Sequence, residues 1–154
     1  MTSSSSFHDE TRNALSAAEE AWAAQNPDQL RAAFALCERT LVTLPPETTT
    51  GPADAATLVP DEFSADRASL WLWRGRFLVS GETPKEVVEG LNSLDQAIAR
   101  FRHALVGTPD NTDEQSIAWM NRGSGLFRLG NPEALAEGLR SYDQVISLWL
   151  RWRI

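Results

Sequence analysis

Apolar residues recur at spacings of three and four along most of the chain, which is the periodicity of amphipathic α-helices. Prolines stand where the second, fourth and sixth such stretches begin, and a helix tolerates proline at its first position. Gly81 and Gly130 are predicted to close the preceding helices in the left-handed conformation. No stretch alternates convincingly enough to predict a strand. The pattern predicts six helices, over residues 8–24, 27–43, 65–80, 84–105, 113–129 and 132–152.

Two segments fall outside these helices. Residues 1–7 are predicted to be a disordered polar tail. Residues 45–63 are rich in proline and threonine, and we expect an irregular, mobile loop that is either a plain linker or a contact for a partner. With a length of 154 residues, the remainder, 8–154, is predicted to be a single domain.

The sequence contains an internal duplication. When it is shifted by 48 positions, residues 71–98 align without a gap with residues 119–146, and 12 of these 28 positions are identical. A fainter third copy lies upstream at an offset of 57, where Phe34 matches Leu91 and Leu41 matches Ile98. The predicted fold is therefore all-α, with three antiparallel helix pairs over about 8–43, 65–105 and 113–152.

The duplicated residues are the kind that serve the fold of each unit. Glycine inside a helix costs about 1 kcal/mol relative to alanine, so its recurrence in both copies predicts close crossings between paired helices. We interpret Trp71 and Trp119 as core residues. The repeated Asp-Gln pairs at 95–96 and 143–144 are predicted to have structural rather than catalytic roles. Cys37 aligns with apolar or aromatic positions and is predicted to be a buried packing residue.

The third copy resembles the tetratricopeptide repeat. Its Trp119, Gly123, Leu126 and Gly130 match the aromatic, small and apolar positions and the glycine before the second helix in that family, and the second copy is similar. The repeat is longer here, at 48 residues against about 34 in the family. The resemblance implies a short α-solenoid whose first helices line a concave surface, and a non-enzymatic scaffold that binds a protein or peptide there.

The same resemblance selects candidate residues on that concave surface. Trp22, Trp73 and Phe127 are predicted anchors for a peptide, and their alternative role is core packing between the units. A small-molecule binder or an enzyme that uses the same face is the alternative function. The candidate peptide-binding residues are Arg12, Leu15, Glu19, Trp22, Leu72, Trp73, Arg76, Met120, Asn121, Ser124, Phe127 and Arg128.

Charge and composition narrow the partners. The formal net charge is −7, and only one of the 14 basic residues is a lysine, which disfavours nucleic acid. No apolar run is long enough for a membrane helix, and the first residues do not resemble a secretory signal, so we expect a cytoplasmic protein without membrane contact. One cysteine and two histidines lack the spacing of a metal site, and neither a cofactor motif nor a catalytic motif is found. We therefore expect no metal, no cofactor and no enzymatic activity.

The last predicted helix has apolar side chains on all sides. One stripe is predicted to pack on its partner helix and consists of Val145, Leu148, Trp149 and Trp152. A second set, Ile146, Leu150 and Ile154, would be exposed in a monomer. The prediction is a homodimer through these residues, and the alternatives are a patch for a different protein or a chain that stops before its capping helix.

Overall fold

The fold was analysed in a computed structural model that describes residues 3–104 and 112–153. It is all-α, as predicted, and its only strands in the described residues form one short hairpin. The helices are α1 (Ser4–Ala24), α2 (Pro27–Thr43), α3 (Ser64–Val79), α4 (Pro84–Ala104), α5 (Thr112–Leu129) and α6 (Pro132–Arg153).

The six helices form three pairs, α1–α2, α3–α4 and α5–α6, which we call units 1, 2 and 3. Each helix packs on its partner, and α2 and α4 also pack on the first helix of the following unit. The first helices touch one another as well, since α3 contacts both α1 and α5. Therefore α1, α3 and α5 form one layer of the stack.

Helix starts follow the local sequence. Asn26 accepts hydrogen bonds from two backbone N–H groups at the start of α2, and Asn131 accepts one at the start of α6. At the start of α4, the hydroxyl of Thr83 accepts a hydrogen bond from the backbone N–H of Glu86 and donates one to the carboxylate of Glu86. Helix α1 begins at Ser4, four residues before the predicted 8, because Ser3 supplies its N-cap. Residues 4–7 therefore belong to α1 and not to a disordered tail, so the prediction was wrong for them. Residues 1 and 2 lie outside the described part.

The prediction for Gly81 was wrong, whereas Gly130 is left-handed, with a φ of 75°. Helix α3 ends instead at Ser80 in a right-handed conformation. The guanidinium of Arg128, on α5, donates hydrogen bonds to the carbonyl oxygens of Val79 and Gly81. A side chain from the next unit therefore satisfies carbonyl oxygens at the end of α3 and in the turn that follows it.

The prediction of no strand was also wrong, because the long connection contains an antiparallel hairpin of β1 (Thr48–Thr50) and β2 (Thr57–Val59). Three-residue strands are too short for alternation to reveal them. Both ends of the connection are pinned. Glu47 accepts two hydrogen bonds from buried Arg100, and buried Arg67 pairs with Asp61 at 2.8 Å.

The repeated glycines lie where the helices of a unit cross, which confirms the interpretation from the duplication. A Cβ at Gly75 would lie 3.1 Å from the carbonyl oxygen of Gly90, and a Cβ at Gly90 would lie 2.6 Å from the backbone nitrogen of Val79. In unit 3, a Cβ at Gly138 would lie 3.3 Å from the carbonyl oxygen of Gly123. The crossing is thus tighter in unit 2 than in unit 3.

The duplicated arginines tie each unit to the one before it. Arg74 binds Ser93 in its own unit and pairs with Glu38 of α2 at 3.3 Å. Arg122 repeats this arrangement: its guanidinium donates to Ser141 at 2.7 Å and pairs with Asp95 of α4 at 2.8 Å. Glu38 and Asp95 occupy equivalent positions, 57 residues apart. The predicted structural role of Asp95 is confirmed as an ion pair between units.

The core runs along the stack in two clusters. One cluster joins α3, α4 and α5 around Leu94, Ile98 and Phe101, and the repeated Trp71 and Trp119 are partly buried against it. The other joins α1, α2 and α3 around Ala18, Cys37, Leu70 and Trp73. Cys37 is fully buried, as predicted, and burial raises the pKa of its thiol to about 12. This thiol is a packing group rather than a nucleophile.

Candidate peptide-binding groove

A groove runs across the layer formed by α1, α3 and α5. Its volume is about 410 Å³, within the range of ligand sites in proteins. All three first helices contribute side chains, so the groove crosses the boundaries between the units. Its lining consists of Leu15, Glu19, Trp22, Ala23, Ser69, Leu72, Trp73, Arg76, Glu114 and Ile117.

An arginine stacked between two tryptophans forms the centre of this groove. The Cζ atom of Arg76 lies 4.6 Å from the ring centroid of Trp22 and 4.5 Å from that of Trp73. The two rings meet edge to face, with their centroids 6.2 Å apart. Each cation–π contact stabilises the guanidinium by roughly 0.5–2 kcal/mol, which holds the cation in a fixed place in the groove.

Arg76 has unused hydrogen-bonding capacity. Within the described residues, its buried Nε has no hydrogen-bond partner, and its guanidinium forms no ion pair with a carboxylate. Partial burial lowers the pKa of Arg76, because desolvation disfavours the charged form, yet an arginine stays protonated at neutral pH. A partly desolvated cation with a free donor is a favourable contact for an anionic group of a ligand.

Two carboxylates add negative charge to the groove, beside the positive charge of Arg76. Glu114, at the start of α5, accepts a hydrogen bond of 2.7 Å from the hydroxyl of Ser69 on α3. Glu19 is exposed on α1. The partly buried side chains of Leu15 and Ile117 provide a surface for apolar groups, whereas Leu72 is only 3% exposed and belongs to the core. The arrangement suits a segment with an acidic group, an apolar side chain and a donor of hydrogen bonds.

The structure brings half of the predicted lining together. Leu15, Glu19, Trp22, Leu72, Trp73 and Arg76 all lie in the groove. Trp73 also belongs to the core and is only 8% exposed, which supports the alternative of core packing for this residue. Trp22 is less buried and packs against the same core cluster.

The other six predicted residues lie outside that cavity, five of them on α5. Arg12 is exposed and lies 3.4 Å from Asp9. Phe127 stacks on Tyr142, whose hydroxyl also hydrogen-bonds with Ser124. Arg128 caps α3, as described above. The remaining two are Met120, which is exposed, and Asn121, which donates to the carbonyl oxygen of Ile117.

The sequence analysis missed Ala23, Ser69, Glu114 and Ile117, although the duplication held the signal for Ser69 and Ile117. Arg12, Ser69 and Ile117 are equivalent positions at the offsets of 57 and 48. The prediction chose Arg12 at this position, whereas its equivalents Ser69 and Ile117 are the residues that line the groove. The groove lies one helical turn earlier on α5 than the predicted set.

A second, larger cavity lies at the turn side of units 1 and 2. Its volume is about 660 Å³, and aromatic rings make up much of its wall. Trp22 lies between the two cavities and lines both of them. The lining of the second cavity consists of Trp22, Gln25, Leu30, Arg31, Phe34, Phe77, Leu78, Ser80 and Glu86.

The predicted self-association residues lie on α6, where Ile146 is 58% and Leu150 is 56% exposed. Ile154 lies outside the described residues. In the stripe predicted to pack on the partner helix, Val145 and Leu148 are partly buried, whereas Trp149 is 44% exposed. Leu139, which the prediction did not include, extends the exposed apolar surface toward the start of the helix.

Within the described ranges, no three histidine, cysteine or acidic side chains are placed to hold a metal ion together. None of the helices described in this chain combines the length and apolar character of a membrane span. Comparison with known proteins gives no match to a family model, to a curated protein or to a solved structure. The tetratricopeptide resemblance therefore remains a prediction from the repeat pattern.

Proposed function

We propose that this protein is a non-enzymatic scaffold of tetratricopeptide-like repeats that binds a peptide segment of another protein in the groove of α1, α3 and α5. The observation that carries the proposal is the stacked, unpaired guanidinium of Arg76 beside an apolar floor. A fixed arginine between aromatic rings is typical of the residues that dominate protein interfaces. The proposal includes a cytoplasmic location and a partner other than nucleic acid or membrane.

The chemistry of the groove defines the segment. An acidic side chain or a terminal carboxylate would pair with the guanidinium of Arg76. Apolar side chains on either side of this acid would contact the partly buried Leu15 and Ile117. Glu19 and Glu114 disfavour a uniformly acidic segment through like-charge repulsion, so the expected ligand has one acidic group within an apolar stretch.

Selection from a peptide display library tests this function. Wild-type protein should enrich peptides with that pattern, and their affinity should fall at least about tenfold in Arg76→Gln, which leaves the peptide's acidic group without its partner. Arg76→Lys keeps the charge but loses the planar stacking, so we expect an intermediate loss. Arg39→Gln, an exposed arginine on α2 outside the groove, is the matched control.

The groove proposal fails if no peptide is enriched, or if the enriched peptides bind Arg76→Gln as tightly as wild type. Circular dichroism of each variant separates a lost contact from a lost fold. Selected peptides that bind without any dependence on Arg76 would point to another surface.

The second cavity favours one alternative function, the binding of a small apolar molecule. Its volume and aromatic wall match those of small-molecule sites. Fluorescence of the dye 8-anilinonaphthalene-1-sulfonate should then rise on binding and fall in Ser80→Trp, which fills the cavity. An equal signal in both proteins would assign the dye to another apolar surface and contradict this alternative.

A further inference from the structure

Helix α6 presents an exposed copy of a surface that is covered elsewhere in the same molecule. Among the identical residues of units 2 and 3 along their second helices are leucine at 91 and 139, aspartate at 95 and 143, and isoleucine at 98 and 146. Ile98 is 4% exposed beneath α5, whereas Ile146 is 58% exposed. We call Leu139, Asp143, Ile146 and Leu150 the α6 face.

The covered copies show what such a surface binds. On α4, Leu91 and Ile98 pack against α5, and Asp95 pairs with Arg122 of α5 at 2.8 Å. On α2, the equivalent acid Glu38 pairs with Arg74 of α3 at 3.3 Å. In both cases the second helix of a unit holds a helix that carries an arginine at one particular position.

The arginine has a recognisable context. Both Arg74 and Arg122 follow a tryptophan by three residues and directly precede a glycine. The guanidinium lies over that tryptophan ring, at 5.8 Å in α3 and 5.7 Å in α5. The glycine allows the helix to cross its own partner closely. This pattern, Trp-x-x-Arg-Gly, occurs in α3 and α5, the first helices that pack against the second helix of the preceding unit.

We infer that the α6 face is a docking surface for an α-helix of another protein that carries an arginine in a Trp-x-x-Arg-Gly or closely similar context. Asp143 is the acid for that arginine, and within the described residues it has no ion pair of its own. Leu139 and Ile146 would contact the apolar side of the incoming helix, as Leu91 and Ile98 do in unit 2.

A second copy of this chain is a poorer fit to the surface. Arg74 and Arg122 are the only arginines in the sequence that precede a glycine, and both are engaged inside the stack. The first helix of another copy, stacked head to tail, would bring Ala17 to the position of this arginine. The charge on Asp143 would then remain unpaired. This inference concerns a surface separate from the groove and does not depend on the proposed function.

The chain itself supplies the probe for the test. A fluorescein-labelled synthetic peptide of residues 112–129, the sequence of α5, should bind the intact protein saturably in fluorescence anisotropy. Asp143→Arg should weaken this binding about tenfold, because repulsion replaces an ion pair. Glu20→Arg, an exposed acid on α1 with the same change of charge, should leave it unchanged.

A charge exchange gives the sharpest result. The peptide with Arg122→Glu should bind wild type weakly and bind Asp143→Arg better than wild type. The inference is overturned if the peptide does not bind saturably or if Asp143→Arg has no effect on its affinity. It is also overturned if the Arg122→Glu peptide binds Asp143→Arg no better than it binds wild type. It is also overturned if sedimentation equilibrium shows a dimer that Leu139→Glu dissociates, since a second copy would then cover the face.

Discussion

Units 2 and 3 share 12 of 28 aligned residues, yet they differ in what surrounds them. In unit 2, the outer face of α4 is covered by α5, and identical residues on α6 lie open. The contacts within each unit are alike, since the arginine–serine bond recurs in both. The duplication therefore determines the packing inside a unit, and the position of the unit in the stack determines which faces are buried.

The largest expected effect comes from a charge placed on the covered face. Ile98→Glu should destabilise the fold by about 4 kcal/mol or more, because it buries an unpaired carboxylate and removes core packing. Ile146→Glu, the same substitution on the exposed copy, should change stability by less than about 1 kcal/mol. Urea unfolding curves measure both. Equal losses would mean that the α6 face is covered in solution.

Glycine substitutions sharpen the comparison inside the units. Gly90→Ala should cost about 1–3 kcal/mol, because the new Cβ would lie 2.6 Å from the backbone nitrogen of Val79. Gly138→Ala meets its nearest atom at 3.3 Å and gains helix propensity, so we expect a change within about 1 kcal/mol. Thermal melts followed by circular dichroism decide this. Equal costs would contradict the looser crossing in unit 3.

The smallest expected effect concerns the duplicated aspartates. Asp95→Ala removes the ion pair with Arg122 and should cost roughly 0.5–1 kcal/mol, less at high salt because the pair is partly exposed. Asp143→Ala should be near neutral, because no arginine of the described chain pairs with it. Unfolding at low and high salt measures the difference. If Asp143→Ala alone lost stability in a salt-dependent way, Asp143 and not Asp95 would be the aspartate that forms an ion pair.

The periodicity of the sequence predicted the helices well where two signals agreed. The starts of α2, α4 and α6 coincide with the predicted residues, because proline and a capping side chain mark the same point. The start of α1 lacked proline, and a run of serines offers several possible caps. The hairpin of residues 48–59 was missed because its strands have three residues each.

Long-range contacts were less predictable than helices. The duplication indicated that Asp95 has a structural role, but nothing local in the sequence identifies Arg122 as its partner. The groove was predicted correctly on α1 and α3, where Trp22, Trp73 and Arg76 meet. On α5 the prediction was displaced by one turn, since side chains such as Phe127 and Ser124 contact Tyr142 instead.

The most direct test of the proposed function is the NMR spectrum of the tryptophan side chains on titration with a peptide selected by the protein. The account predicts that the indole N–H signals of Trp22 and Trp73 shift saturably, while that of Trp149 on α6 stays in place. In Arg76→Gln the same peptide should shift neither signal at the same concentration. A shift confined to Trp149, or unchanged shifts in Arg76→Gln, would contradict binding in the groove.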